Sequence, residues 1–302
     1  MSVDPGGGSD FELPPEFDAA YYRQYSDLAH MDDQHLARHF QKSGKSEGRC
    51  AAEASQKAEF LKLVPQNAPV LEIGPFDKPA LRGEHVAYFD VLDKDGLAAR
   101  AAALGHPPRD IPAIDYVEPN GNLDIVPDSH FTAAFSSHCI EHQIDLVDHL
   151  RSVERILRPN GRYFLIIPDK RYCFDHFIAE STIANAVSAH HARSTRHRLE
   201  SIIENRALVT HNDCNRHWKG DHVNAGAYWE TISSRTRNAI AEFAAADGYI
   251  DVHAWQFTPD SFRTLMAQLH EIDLCGLVVE RVYSTLRGSN EFMAVLQKPQ
   301  ST

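Results

Sequence analysis

The stretch from Pro69 to Ile167 constrains the fold most, because short apolar runs in it alternate with helical patterns. Pro69-Val-Leu-Glu-Ile73 stops at Gly74-Pro75, which predicts a buried strand. His85–Asp90 predicts a second strand, Asp95–Leu104 an Ala-rich helix, and Ile111–Val117 a third strand interrupted by Pro112. Phe131–Ser136 predicts a fourth strand. In Asp145–Leu157, residues Leu146, Leu150, Val153 and Leu157 fall on one helical face, and Pro159-Asn160-Gly161 stops the helix. Arg162–Ile167 is almost wholly apolar, as a central parallel strand covered on both faces must be. Strands alternating with helices predict an α/β chain built on a doubly wound, mostly parallel sheet.

The end of the chain closes that sheet in a particular way. Thr258-Pro259-Asp260 supplies an N-cap, a first-turn proline and an acid at the positive end of the helix dipole. Phe262, Leu265, Met266, Leu269 and Ile272 form the buried face that follows. Leu277–Leu286 and Glu291–Lys298 predict two strands joined by the turn Arg287–Asn290, an antiparallel hairpin.

The rest of the chain divides around this domain. Residues 1–16 are rich in Gly and Pro and predict a disordered tail. Residues 17–55 predict a small helical module whose apolar positions are Tyr21, Tyr22, Tyr25, Leu28, Leu36 and Phe40. Residues 56–302 make the main domain, with 173–255 a helical insertion that includes a predicted helix over Ile178–Arg206, or two shorter ones. Insertions on the carboxyl side of such a sheet shape the ligand site, so this one is expected to be a lid.

Composition excludes several classes. The 302 residues carry a net charge of −12, which argues against generic nucleic-acid or anionic-membrane binding. No apolar run approaches the roughly 18 residues a bilayer span requires. Met1–Asp10 has neither a basic start nor an apolar core, so no signal peptide is expected, and the expected location is the cytoplasm. The 5 cysteines are widely spaced without a CxxC, which predicts reduced thiols.

Three features converge on a ligand site. The first strand ends in Glu72-Ile-Gly-Pro-Phe-Asp77, an acid followed by a turn at which backbone can approach a ligand closely. The second strand ends in Asp90, where an acid can accept from ribose hydroxyls. The fourth strand runs into Ser136-Ser-His-Cys-Ile-Glu-His142. With "VLEIGP", "YFDVLD", "SSHCIEH" and "ERILRPNGRYFLIIPDKRY" in this order, the chain resembles the class I, Rossmann-like S-adenosylmethionine-dependent methyltransferases. The likeness covers about residues 69–172 and 256–298 and is nearest to a bacterial branch carrying "IPDKRY-x-FD" that travels with polysaccharide-assembly genes.

The resemblance implies S-adenosylmethionine as cofactor, with Glu72, Gly74 and Pro75 along its methionine portion and Asp90 on its ribose. It places Asp115, or the backbone near Asn122 and Leu123, at the adenine, and Ser137 and His138 beneath the sulfonium. The chain departs from the family's glycine-rich loop, since Gly74 stands alone before Pro75 and Phe76. A pyrophosphate needs a glycine-rich helix start, so the departure disfavours a nicotinamide dinucleotide.

Methyl transfer is an in-line displacement, and a hydroxyl acceptor benefits from a base. His142 is the first candidate base and Asp169 the second. The acceptor is expected to be a small molecule or glycan intermediate, with sugars facing Lys170, Arg171, Tyr172, Trp218, Tyr228, Trp229 and Trp255, although those aromatics fit a lid core equally. His211, Cys214, His217 and His222, near Asp213 and Asp221, match no standard zinc spacing, so no metal is expected. Residues 17–49, with "G-x-x-EGR" at Gly44–Arg49, resemble a short module found beside glycosyltransferases, which implies glycan-assembly proteins as partners. The competing reading is a catalytically inactive binding or scaffold protein on the same fold.

Overall fold

The computed structural model describes residues 12–107, 109–223 and 228–300. Seven strands form one sheet: β1 (Val70–Ile73), β2 (Val86–Asp90), β3 (Tyr116–Val117), β4 (Phe131–Ser137), β5 (Leu157–Pro168), β6 (Val278–Tyr283) and β7 (Glu291–Gln297). Their order is β3-β2-β1-β4-β5-β7-β6, with β1 to β5 parallel and β7 antiparallel to both of its neighbours. The chain leaves β1 toward one edge, then returns to place β4 on β1's other side. That reversal puts the switch point between the carboxyl ends of β1 and β4, where ligands of open α/β sheets bind.

Both faces are covered, as the apolar β5 sequence requires. Leu71, Ile73 and Phe89 on one face pack with Leu150, Val153 and Ile156 of the helix Leu146–Ile156 and with Phe262, Leu265 and Leu269 of the helix Pro259–Glu271. Val70, Tyr88, Phe135, Phe164 and Val295 on the other face pack with Phe60 and Val64. Each large side chain so buried contributes about 1.5–3 kcal/mol. Capping fixes the helix starts: Asp145 accepts from Asp148 N–H, and Thr258 and Ser261 form a reciprocal box ahead of Pro259.

Two boundaries need correction, and one open alternative is resolved. The third strand shrinks to Tyr116–Val117, because Pro112 lacks the N–H that a longer ladder would use. Of the two forms expected for the insertion's first helix, the shorter pair forms: Ile183–Ala192 and Leu199–Leu208 part at Arg193, whose φ is +48°. Pro159-Asn160-Gly161 ends its helix, yet the chain enters β5 directly at Leu157 and turns through Asn160 at φ +65°.

Part of the expected tail lies outside the described residues, but 12–16 run along β6. Leu13 is buried, the Pro14 carbonyl accepts from Tyr283 Oη at 2.7 Å, and Glu16 accepts from Val282 N–H at 2.6 Å. This cover occupies an otherwise open sheet edge. The N-terminal module closes on its own small core of Tyr22, Leu28, Leu36, Phe40 and Ala51. The carbonyl of its Gly48, a residue at φ +67°, accepts from Arg287 N–H at 2.8 Å. A Cβ there would lie 2.5 Å from that nitrogen and 2.6 Å from the Trp218 ring, which explains the glycine of "EGR". Among the described residues, no helix is long and apolar enough to cross a membrane.

Candidate functional site

The switch point is built from the ends of β1, β2 and β4. Gly74 leaves β1 at φ +69°, and a Cβ at that position would meet Cys139 Sγ at 3.1 Å. Pro75 is buried in the turn, and Phe76 follows at φ +49°. Asp90, at the end of β2, accepts from Phe76 N–H at 3.3 Å through Oδ2 and from Val91 N–H at 2.7 Å through Oδ1. Burial raises its pKa above the ordinary carboxylate value. Asp90 thus touches the Gly74 turn from the neighbouring strand, and each oxygen keeps a lone pair.

Glu72 shares the face of β1 that points toward this turn, but its carboxylate is already committed. Ala80 N–H and Leu81 N–H donate to its two oxygens at 2.7 and 2.9 Å, so it pins the loop that carries Gly74. Burial pushes its pKa up to about 7. Glu72 thus shapes the turn that carries Gly74, with one backbone donor on each oxygen as at Asp90. Asp115 Oδ2 accepts from Tyr88 N–H at 2.9 Å and closes the β2–β3 edge. Asn122 caps the turn Leu123–Ile125.

Ser137 ends β4 half-buried, and His138 follows in a left-handed conformation at φ +50°. His138 pairs through Nε2 with Glu291 at 2.8 Å. Burial alone would lower its pKa, but Glu291 and Glu141 outweigh burial and raise it. His142 lies on the turn Ile140–His142, and Asp251 Oδ1 stands 3.0 Å from its Nδ1. Its ring stands perpendicular to His253 at 4.7 Å between centroids.

Asp169, the second candidate base, is fully buried at the end of β5. Arg171 Nη2 and Thr285 Oγ1 both donate to its Oδ2 at 2.6 Å, and Arg171 N–H donates to Oδ1 at 3.0 Å. Both of its oxygens accept from structural donors. The cationic mouth is likewise spent internally, because Lys170 Nζ donates to the His176 carbonyl at 2.9 Å. Trp255 and Tyr228 belong to the core, and Trp218 stacks on Tyr172 at 3.8 Å. Trp229, 58% exposed, is the member of that group left facing outward.

One residue of the insertion, Asp251, reaches the elements that flank the switch point. Asp251 binds Arg100 Nη2 at 2.8 Å on the β2 side and His142 on the β4 side, so its segment crosses above the end of β1. Tyr249 Oη donates to Asp251 at 3.2 Å within the same strap. Spacing alone did not single out Asp251, Glu141 or His253. The signals were the acid between histidines in His138-Cys-Ile-Glu-His142 and the alternation Asp251-Val-His253.

Residues 79–165 match the family described as a methyltransferase domain. That segment is similar to a methyltransferase domain. The matched segment takes in Asp90 and the Ser137–His142 turn. Among solved structures, a methyltransferase from Methanosarcina mazei is 13% identical, covering 82% of this chain and 100% of its own, with a TM-score of 0.38. A putative methyltransferase from Listeria monocytogenes is 14% identical, covering 80% and 97%, with a TM-score of 0.40. At those scores neither overlay bears on the acceptor or on any residue's role. No curated protein matches the chain.

The methyltransferase's own residues fit the cofactor. Asp90 can still accept from hydroxyls, and Gly74 presents backbone without a side chain. The next free amide, that of Phe76, is spent on Asp90, which leaves no run of amides for a pyrophosphate.

Proposed function

We propose that this methyltransferase transfers the methyl group of S-adenosylmethionine to a hydroxyl oxygen of a small-molecule or glycan acceptor. The observation that carries the reading is Asp90, a buried carboxylate on the Gly74 turn at the switch point of the sheet. Asp90 would accept from the ribose hydroxyls, while the Gly74–Phe76 backbone and Ser137 line the path toward the acceptor. The bound cofactor supplies a methyl group on a cationic sulfur, activated for displacement.

His142 is the base of this reading. Asp251 orients its ring through Nδ1, which leaves Nε2 to take the acceptor's proton. A glycan setting, in the cytoplasm and with assembly proteins docked on residues 17–55, is supported by the "G-x-x-EGR" module and by the sequence after β5.

A second reading has one observation in its favour. The strap through Asp251 lies across the turn, as it would in a binding protein that keeps the fold without turnover. Incubation with methyl-labelled cofactor and a panel of hydroxylated sugars and small molecules decides between them. Label on an acceptor oxygen supports transfer; label on nitrogen or carbon corrects the acceptor. No label on any compound from extracts of the source cells favours the scaffold.

A further inference from the structure

The Glu141 side chain is 0% exposed, and neither of its carboxylate oxygens has a hydrogen-bond donor. Buried carboxylates are found paired, hydrogen-bonded or on metal, so this group lacks its partner. Three imidazoles surround it. His138 Nδ1 and His253 Nε2 each stand 3.8 Å from Oε1, and His142 Nε2 stands 3.9 Å away. These separations are too long for hydrogen bonds and leave a gap that an ion between the donors would fill.

The far side of each ring carries a carboxylate. His138 Nε2 meets Glu291 at 2.8 Å, His142 Nδ1 meets Asp251 at 3.0 Å, and His253 Nδ1 meets Asp175 at 2.5 Å. At His138 and His253 the outer hydrogen bond fixes the tautomer, so that the inner nitrogen offers its lone pair, whereas at His142 the Asp251 carboxylate is close to Nδ1 without completing a hydrogen bond. Four separate segments of chain deliver this arrangement. The Glu141 carbonyl also accepts from Ala254 N–H at 2.7 Å, tying the strap that bears His253 to the turn that bears His142.

We infer that Glu141, His142 and His253 hold a divalent transition-metal ion, with His138 beside them as a further donor. The three ligand atoms lie within 4.8 Å of one another. Two imidazoles and one carboxylate suit zinc or a neighbouring first-row ion rather than calcium or magnesium, and three protein ligands leave positions open for an oxygen. The other histidine cluster, His176, His217 and His222, contains no acid, and its nitrogens are engaged elsewhere. His217 Nδ1 meets His222 Nδ1 at 3.0 Å, and His176 Nδ1 meets the Arg171 carbonyl at 2.8 Å.

The ion has a consequence for the methyltransferase reading, on which its role but not its binding depends. With His142 Nε2 as a ligand, the imidazole is no longer a free base, and the ion instead orients and acidifies an acceptor oxygen.

The test is calorimetric titration of the chelator-stripped full-length protein with Zn²⁺, without cofactor or acceptor. The expected result is one ion per chain, with affinity weakened at least roughly tenfold by Glu141→Gln and by His253→Ala. His217→Ala should leave that affinity unchanged. Visible absorption of the wild-type protein loaded with Co²⁺, lost on adding Zn²⁺, checks the site without relying on a variant that must fold. No binding, no cobalt bands, or binding that survives Glu141→Gln and disappears in His217→Ala would overturn the inference. Because no cofactor is present, that failure leaves methyl transfer untouched, and a failed methyl-transfer assay leaves the ion site standing.

Discussion

Asp251 holds Arg100 with one carboxylate oxygen at 2.8 Å and stands 3.0 Å from His142 with the other, and so links the helix Lys94–Ala103 to the turn after β4 with a single side chain. The neighbouring His142 is the main reason its carboxyl is held well below the usual carboxylate range. The contact with Arg100 must part for a nucleoside to reach the Gly74 turn from that side. Arg100→Ala removes it while leaving Asp251 on His142. Stopped-flow measurement should show cofactor association accelerated several-fold, with stability changed by less than about 1 kcal/mol because the pair is partly exposed.

Glu72 gives a pH signature. Its folded pKa is raised from 4.5 to about 7 by burial, so the protonated form is favoured in the folded chain. Its contribution to stability is full below pH 4.5 and is lost as pH rises toward 7, a spread of order 3 kcal/mol. Thermal melts of wild type and Glu72→Gln across that window should show the wild-type advantage shrinking as pH rises. A constant difference would remove the titration from Glu72.

The module's docking rests on Gly48. Gly48→Ala places a Cβ against the Arg287 backbone at a φ of +67°, and should destabilise the chain by roughly 1–3 kcal/mol. Limited proteolysis should then cut between residues 50 and 56 faster than in wild type.

Most of the sheet is readable from sequence because its strands are apolar on both faces and its helices carry strong caps. Asp145, Thr258 and the β5 run needed no tertiary information. What the sequence hides is where long-range polar partners go. Asp169 and Asp115 sit at the expected places along the chain, and the sequence does not show that Thr285 and the Tyr88 amide would donate to them. Glu141 reads as part of a motif, and its meaning depends on His253, 112 positions later, arriving on the strap. Pattern gives the face a residue occupies; it does not give the donor that reaches it.

A buried relay behind β4 supplies a stability test independent of ligand. Tyr163 Oη lies 2.7 Å from Ser136 Oγ and 3.1 Å from His149 Nε2. Tyr163→Phe strands both partners in the core and should cost about 1–3 kcal/mol in a denaturant melt.

Titration calorimetry of S-adenosylmethionine and S-adenosylhomocysteine into wild type and Asp90→Ala bears most directly on the central claim. Wild type should bind both ligands, and the substitution should weaken each by roughly 1–3 kcal/mol, the loss of charged hydrogen bonds to a ribose. Affinity unchanged by the substitution, or no heat from either ligand with wild type, would contradict the assignment of the cofactor to the Gly74–Asp90 turn.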